Sequence, residues 1–189
     1  MRHKYETRGI VLSRSPVGEA SAFVFVLTPE LGLVRALAQS VRKSGAKLSA
    51  ALATFAESSV VLVRGKDGWR LAGAVLRESW FSKLRNAGAR RSAARVSGLL
   101  LRLVVGETSN PGLFPILTGF FEALATLPEE LHESVETLAV VRLLAALGLD
   151  AGNIPGAMSE YTPLVLADVM DKRTNYVARI NRGIAASGL

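Results

Sequence analysis

The chain has no cysteine, two histidines and few aromatic residues, 6% of its 189. Without cysteine there is no disulfide, no thiolate-held zinc and no thiol nucleophile. A reducing cytoplasm is therefore the expected compartment. Long apolar runs are missing as well, although the mean hydropathy is +0.29. The apolar stretches at 99–105 and 138–149 are interrupted by Arg102 and Arg142, and the longest uncharged window, 108–121, is 14 residues with two prolines. A membrane span needs about 20 residues, so no membrane partner is expected. The opening MRHKYETRG lacks the apolar segment of a secretory signal.

Catalytic constellations are absent too. His3 stands near the N-terminus, and His132 lies between Glu130 and Glu133. Neither has ligand spacing to a second histidine, so no metal is expected. Gly65 and Gly68 match neither a dinucleotide fingerprint nor a P-loop. Glu129 and Glu130 suit the start of a helix, where carboxylates offset the dipole, better than acid–base work. The expectation is a protein that is not an enzyme and has no cofactor.

What the sequence does have is positive charge, unevenly placed. The net charge is +7, but residues 1–80 carry 12 cations and 6 carboxylates, and residues 81–106 carry six cations and no carboxylate. Residues 107–150 reverse the sign, with seven carboxylates against Arg142. A basic N-terminal half is the electrostatic footprint of a nucleic-acid binder, or of a surface that meets acidic protein segments.

The hydrophobic pattern divides the chain. Residues 7–13 (TRGIVLS), 22–28 (AFVFVLT), 33–39, 58–64 and 69–76 are β-branched or alternating runs of strand length. The turn Thr28-Pro29-Glu30-Leu31-Gly32 separates the second from the third, and Gly65-Lys66-Asp67-Gly68 makes a hairpin of the last two. Five strands in about 75 residues suit a small closed barrel such as an OB-fold. From Phe81 the period becomes helical, with helices expected over 81–105, 113–127 and 129–147, ended by Gly106, Pro128 and Gly148. A last helix starts near Pro163, with a break near 172–175. The expected class is α+β: an OB-fold domain at 1–78, an α-helical bundle at 79–150, and a helical extension at 151–189 that packs on it.

Several fragments together resemble one family. They are Tyr5-x-Thr7-x-Gly9-Ile10-Val11-Leu12, Gly18-Glu19, and Val26-Leu27-Thr28-x-x-x-Gly32. Val41-Arg42-Lys43-Ser44-x-x-Lys47-Leu48 follows, with Leu52 and Phe55 after it. Further on come Gly106-Glu107-x-x-x-Pro111-x-Leu113-Phe114 and Leu143-Leu144-x-x-Leu147-Gly148. In order and spacing these are similar to the recombination and repair mediators of the RecO family, over about residues 5–150. The resemblance implies an N-terminal OB-fold and a helical domain. It also implies binding of single- and double-stranded DNA, strand annealing, a nucleoid-associated location, and partnership with RecR and single-stranded-DNA-binding protein in loading RecA. Many members carry a four-cysteine zinc element after the Leu-Gly of the third helix, whereas here Leu147-Gly148-Leu149-Asp150 is followed by no cysteine. The chain is also short for the family, so it reads as a reduced, zinc-less version.

On that footing Arg42, Lys43 and Lys47, three cations within six residues of a Gly/Ser loop, are the first candidates for DNA contact. Arg35, alternating with Val34 and Ala36, is expected to project from the barrel; Arg14 and Arg8 flank the first strand. Lys83, Arg85, Arg90, Arg91 and Arg95 either extend the DNA track or form the wet face of a helix. Phe23 and Phe25 share a strand face and are expected to fill the barrel, and Trp69 either packs in the core or stacks on a base. Arg142, in the series Leu131, Val135, Leu138, Arg142, Ala145, either receives the acidic tail of single-stranded-DNA-binding protein or snorkels to a nearby glutamate. Two rival functions remain: a protein-interaction adaptor on an OB scaffold, and an RNA-binding OB module.

Overall fold

A computed structural model describes residues 3–39, 48–104 and 109–189. The fold is mixed α+β, five strands followed by helices, and the chain divides into two compact units. One is Met1–Lys83 with Gly106–Pro111; the other is Leu84–Val105 with Gly112–Leu189. The first unit thus runs to Lys83 before the chain enters the second, and residues 151–189 fall within the helical unit.

The first unit holds β1 (His3–Val17), β2 (Ser21–Thr28), β3 (Gly32–Ala38), β4 (Ala56–Gly65), β5 (Gly68–Ser79) and the one-turn α1 (Trp80–Lys83). β1 is long enough to serve two neighbours. Residues 3–10 pair with β4 and residues 10–17 with β2, both antiparallel. β3 pairs in parallel with β5 through Ala36–Trp69, Leu37–Arg70 and Ala38–Leu71, so the order β1-β2-β3-β5-β4 returns to β1 and closes a barrel. A bulge at Leu12, between the pairs Val11–Val26 and Ser13–Phe25, bends β1 from one neighbour to the other.

Strand alternation decides what fills the barrel. Val11, Val24, Val26, Val34, Ala36, Val60, Leu62, Trp69 and Leu71 point inward, with Leu52 from the β3–β4 connection beside them. Most are β-branched or small, as a narrow closed barrel requires. Gly68 permits the tight β4–β5 turn at φ 108°, where a side chain would be strained. Gly9 is needed for space: a Cβ there would strike the Val26 side chain and crowd the Leu27 carbonyl.

The second unit contains α2 (Ala87–Leu103), α3 (Leu113–Thr126), a 3-10 turn (Glu129–Leu131), α4 (His132–Ala146), α5 (Pro163–Asp171) and α6 (Arg173–Ala186). The helix expected over 81–105 is two helices. Asn86 is extended (φ −102°, ψ 158°) and its side chain accepts the Ala89 N–H at 2.6 Å, so it caps a new helix rather than continuing one. α4 is buried on nearly every side and packs against α2, α3, α5 and α6. A helix apolar all round belongs at the centre of a bundle. Gly148 (φ 74°) ends it, and Thr162 caps α5 with Pro163 in its first turn. No helix among the described residues is long and apolar enough to cross a membrane.

Candidate nucleic-acid interface

The strand register sorts the candidate residues of the first unit by face. Inward positions on β2 are Ala22, Val24 and Val26, so Phe23 and Phe25 stand on the outer face, half-buried. They do not fill the barrel. The core clusters small and β-branched side chains instead, and two phenyl rings belong to the opposite phase of the alternation. Phe25 pairs with Ser13 on one side and Arg35 on the other; Phe23 pairs with Ser15 and Leu37. Arg35 is exposed, and its guanidinium carbon lies 3.6 Å from the centroid of the Phe23 ring. A planar cation laid on a phenyl face gives a flat, positively charged platform.

The other candidates separate. Arg14 is exposed but faces Val24, on the opposite side of β1 from Ser13 and Ser15. Arg8 lies 3.9 Å from Glu57, whose carboxylate also accepts the Trp80 indole N–H at 3.1 Å, so part of its charge is spent within the barrel. Arg42, Lys43 and Lys47 lie outside the described residues. Trp69 packs in the core.

Lys83 pairs with Glu78 at 2.7 Å, and this hydrogen bond holds the Glu78 carboxyl below its ordinary range. In the helical unit, Arg90 is half-buried and its Nε donates to the Leu84 carbonyl at 2.7 Å, bracing the start of α2. Arg95 grips Glu136 on α4 through Nε at 2.7 Å and Nη2 at 2.6 Å. Arg85 and Arg91 are exposed. The run of cations is thus partly bracing and partly free surface.

Arg142 is not at a groove edge. It is 2% exposed, and its guanidinium donates to the carbonyls of Pro155 (2.9 Å), Met158 (3.2 Å) and Glu160 (2.7 Å) while lying 4.7 Å from the Tyr161 ring centroid. It ties the 155–161 loop to α4, and its partners are carbonyls rather than a glutamate carboxylate. The apolar groove of this unit lies elsewhere. Val96, Leu99, Val140, Ile180 and Ile184 floor a cleft of about 520 Å³ whose rim carries Arg95, Glu133 and Glu136. A second buried arginine, Arg179, has no motif or spacing that marks it in the sequence. It donates to both oxygens of Asp150 (3.0 and 2.5 Å) and to the Asn153 carbonyl, and those bonds hold Asp150 below its usual range. No group of three or more acidic or histidine side chains among the described residues is placed to hold a metal.

Comparison with known proteins agrees with the resemblance. Residues 1–79 match the family described as Recombination protein O N terminal. The chain is 34% identical over 122 residues to the DNA repair protein RecO of Dehalococcoides mccartyi, covering 65% of this chain and 48% of that one. It is 28% identical over 151 residues to the protein of the same name from Gloeothece citriformis (79% and 53%), and 28% over 145 residues to that of Gloeobacter violaceus (77% and 56%). The chain spans about half the length of these curated relatives. The first 79 residues thus match the RecO N-terminal domain, and the similarity to DNA repair proteins named RecO, at 28–34% identity, extends from the barrel into the helices that follow it.

Proposed function

We propose that the chain is a non-catalytic DNA-binding mediator of repair and recombination, and that its barrel is an OB-fold that holds nucleic acid on the outer face of β1–β3. The observation that carries this is the platform of Phe23, Phe25 and Arg35, with the guanidinium laid on the Phe23 ring. Bases of any sequence stack on such a surface, and cations beside it neutralise the phosphates, so binding is sequence-neutral. The closed five-stranded order β1-β2-β3-β5-β4 supports the OB reading, since that barrel presents nucleic acid to the face of its second and third strands. Similarity to DNA repair proteins named RecO supports the repair role.

On this reading the chain binds single- and double-stranded DNA, and anneals complementary strands by lowering the repulsion between two polyanions without a catalytic group. Work with RecR, single-stranded-DNA-binding protein and, through them, RecA is proposed on the RecO resemblance alone. The test is fluorescence anisotropy with labelled single-stranded DNA across a salt series. Wild type should bind tightly at low salt with a steep negative slope of log K on log salt. Arg35→Glu and Arg42→Glu/Lys43→Glu should each weaken binding and flatten the slope, by about 0.7 for every phosphate that is no longer neutralised. Salt-insensitive or absent binding by wild type would reject this function in favour of a protein adaptor. A clear preference for RNA of the same sequence would favour the RNA-binding module.

A further inference from the structure

The outer-face row that includes Phe23 does not stop at β3. Following the register across the barrel, Ser15 pairs with Phe23, Phe23 with Leu37, Leu37 with Arg70, Arg70 with Val63 and Val63 with Lys4. Directly paired residues point to the same side of a sheet, so these side chains form one continuous outer stripe that crosses the β3–β5 seam. The stripe runs from aromatic and apolar character at Phe23 and Leu37 into cations at Arg70 and Lys4. Lys4 is held by Glu6 at 2.6 Å. Arg70 is exposed and has no ion-pair partner among the described residues.

At the cationic end the β4–β5 hairpin forms a cleft of about 540 Å³ whose charged lining is Arg64, Lys66, Asp67 and Arg70, with His3 at its edge. Three permanent cations therefore face one carboxylate. Lys66 is exposed in the turn and, like Arg70, has no ion-pair partner among the described residues. Arg64, on the cleft wall, is anchored on the core side: its guanidinium carbon lies 5.1 Å from the ring centroid of Trp69, which is 9% exposed and meets the Tyr5 ring edge-on with centroids 5.2 Å apart.

We propose that this hairpin cleft is a phosphate-binding extension of the stacking platform. A single strand whose bases lie on Phe25 and Phe23 continues over Leu37 and seats its next phosphates against Arg70 and Lys66. Two strand spacings separate Phe23 from Arg70, about 10 Å, a span that two or three nucleotides cover at ~3.4 Å or more each. This rests on the barrel binding nucleic acid as proposed above. A nucleic-acid strand is the better occupant than an acidic peptide because the cations continue a row of stacking side chains. A carboxylate-bearing tail would need only the charge.

The experiment compares Lys66→Glu/Arg70→Glu with wild type on labelled oligothymidylates of 3 and 15 nucleotides across a salt series, in the full chain. Both positions are exposed, and a matching thermal melt shows that the fold is kept. The 15-mer should lose at least tenfold in affinity at low salt and about 1.4 in salt slope, two phosphates at ~0.7 each, while the 3-mer, short enough to occupy the platform alone, should change little. Unchanged 15-mer binding in a variant of a DNA-binding wild type would overturn the extension and leave the platform standing. Failure of wild type to bind either oligomer would remove both. Millimolar inorganic phosphate that displaces the 15-mer beyond chloride of matched ionic strength would make the cleft a pocket for a free anion. Selective binding of a polyglutamate peptide, abolished in the same variant, would give it to a protein partner. Either result overturns the strand path.

Discussion

At the scale of single residues, the two buried arginines and the exposed one do different work because of what surrounds them. Arg35 is solvated above a ring and available to a ligand, whereas Arg142 is enclosed and donates through its two terminal nitrogens to three loop carbonyls. Replacing Arg142 with methionine keeps much of the bulk but strands those acceptors. An uncompensated cluster of this kind should cost about 3 kcal/mol or more, read as a lower urea midpoint with an unchanged m-value. Arg142→Met that unfolds like wild type would mean that water replaces the guanidinium. Phe25→Leu tests the other side of the contrast. It keeps an apolar side chain on the outer face and removes the π surface, so single-strand affinity should fall by about 1 kcal/mol or more, some fivefold in anisotropy, with little change in thermal stability. The side-chain types are legible in the sequence, but their roles are not. Arginine in a helix pattern looks the same whether its tip meets water or carbonyls.

Individual elements show where local rules hold and where packing overrules them. The strands, the hairpin at 65–68 and the ends of α3 and α4 follow from alternation, glycine and proline. The break between α1 and α2 does not, because residues 81–105 keep a helical pattern through it; the Asn86 cap is the available signal. The phase of β2 also departs from the expectation. Phe23 and Phe25 are the larger side chains, but the barrel interior is narrow and takes the valines. At the C-terminal side, Asp150 and Arg179 clamp the segment after α4 onto α6, with both side chains less than a tenth exposed. Because the Arg179 bonds depress the Asp150 pKa, the clamp stabilises the fold fully above the unfolded carboxyl value near ~3.9 and fades as pH falls through the lower folded value. Asp150→Ala should therefore lower the melting temperature at pH 7, with the gap to wild type narrowing under strong acid. A gap that stays constant down to about pH 2 would show that the loss is packing rather than charge.

For the molecule as a whole, charge and topology act together. Among the cations of the N-terminal half, Arg35, Arg70 and Lys4 reach the outer face of a closed barrel, and the acidic stretch 107–150 contributes Glu133 and Glu136, which brace the helical unit against Arg173 and Arg95. If the barrel carries the DNA, reversing Glu136 to lysine should reduce stability through loss of the Arg95 pair while leaving the salt slope of single-strand binding within about 0.3 of wild type. A slope that steepened by ~0.7 or more would place the α2–α4 surface in the DNA path.

The sequence alone determined the α+β class, the five strands, the charge asymmetry and the likeness to RecO proteins, because each is written in local periodicity, in composition or in motif order. It also determined which residue types were available to bind a polyanion. Only the tertiary structure decided which of them share a face. Strand register brings Phe23, Leu37 and Arg70 into one row although 47 positions separate the first from the last. Helix packing withdraws Arg142 into the bundle for the same kind of reason. Which way a side chain points depends on pairings made far along the chain, and no local pattern records them.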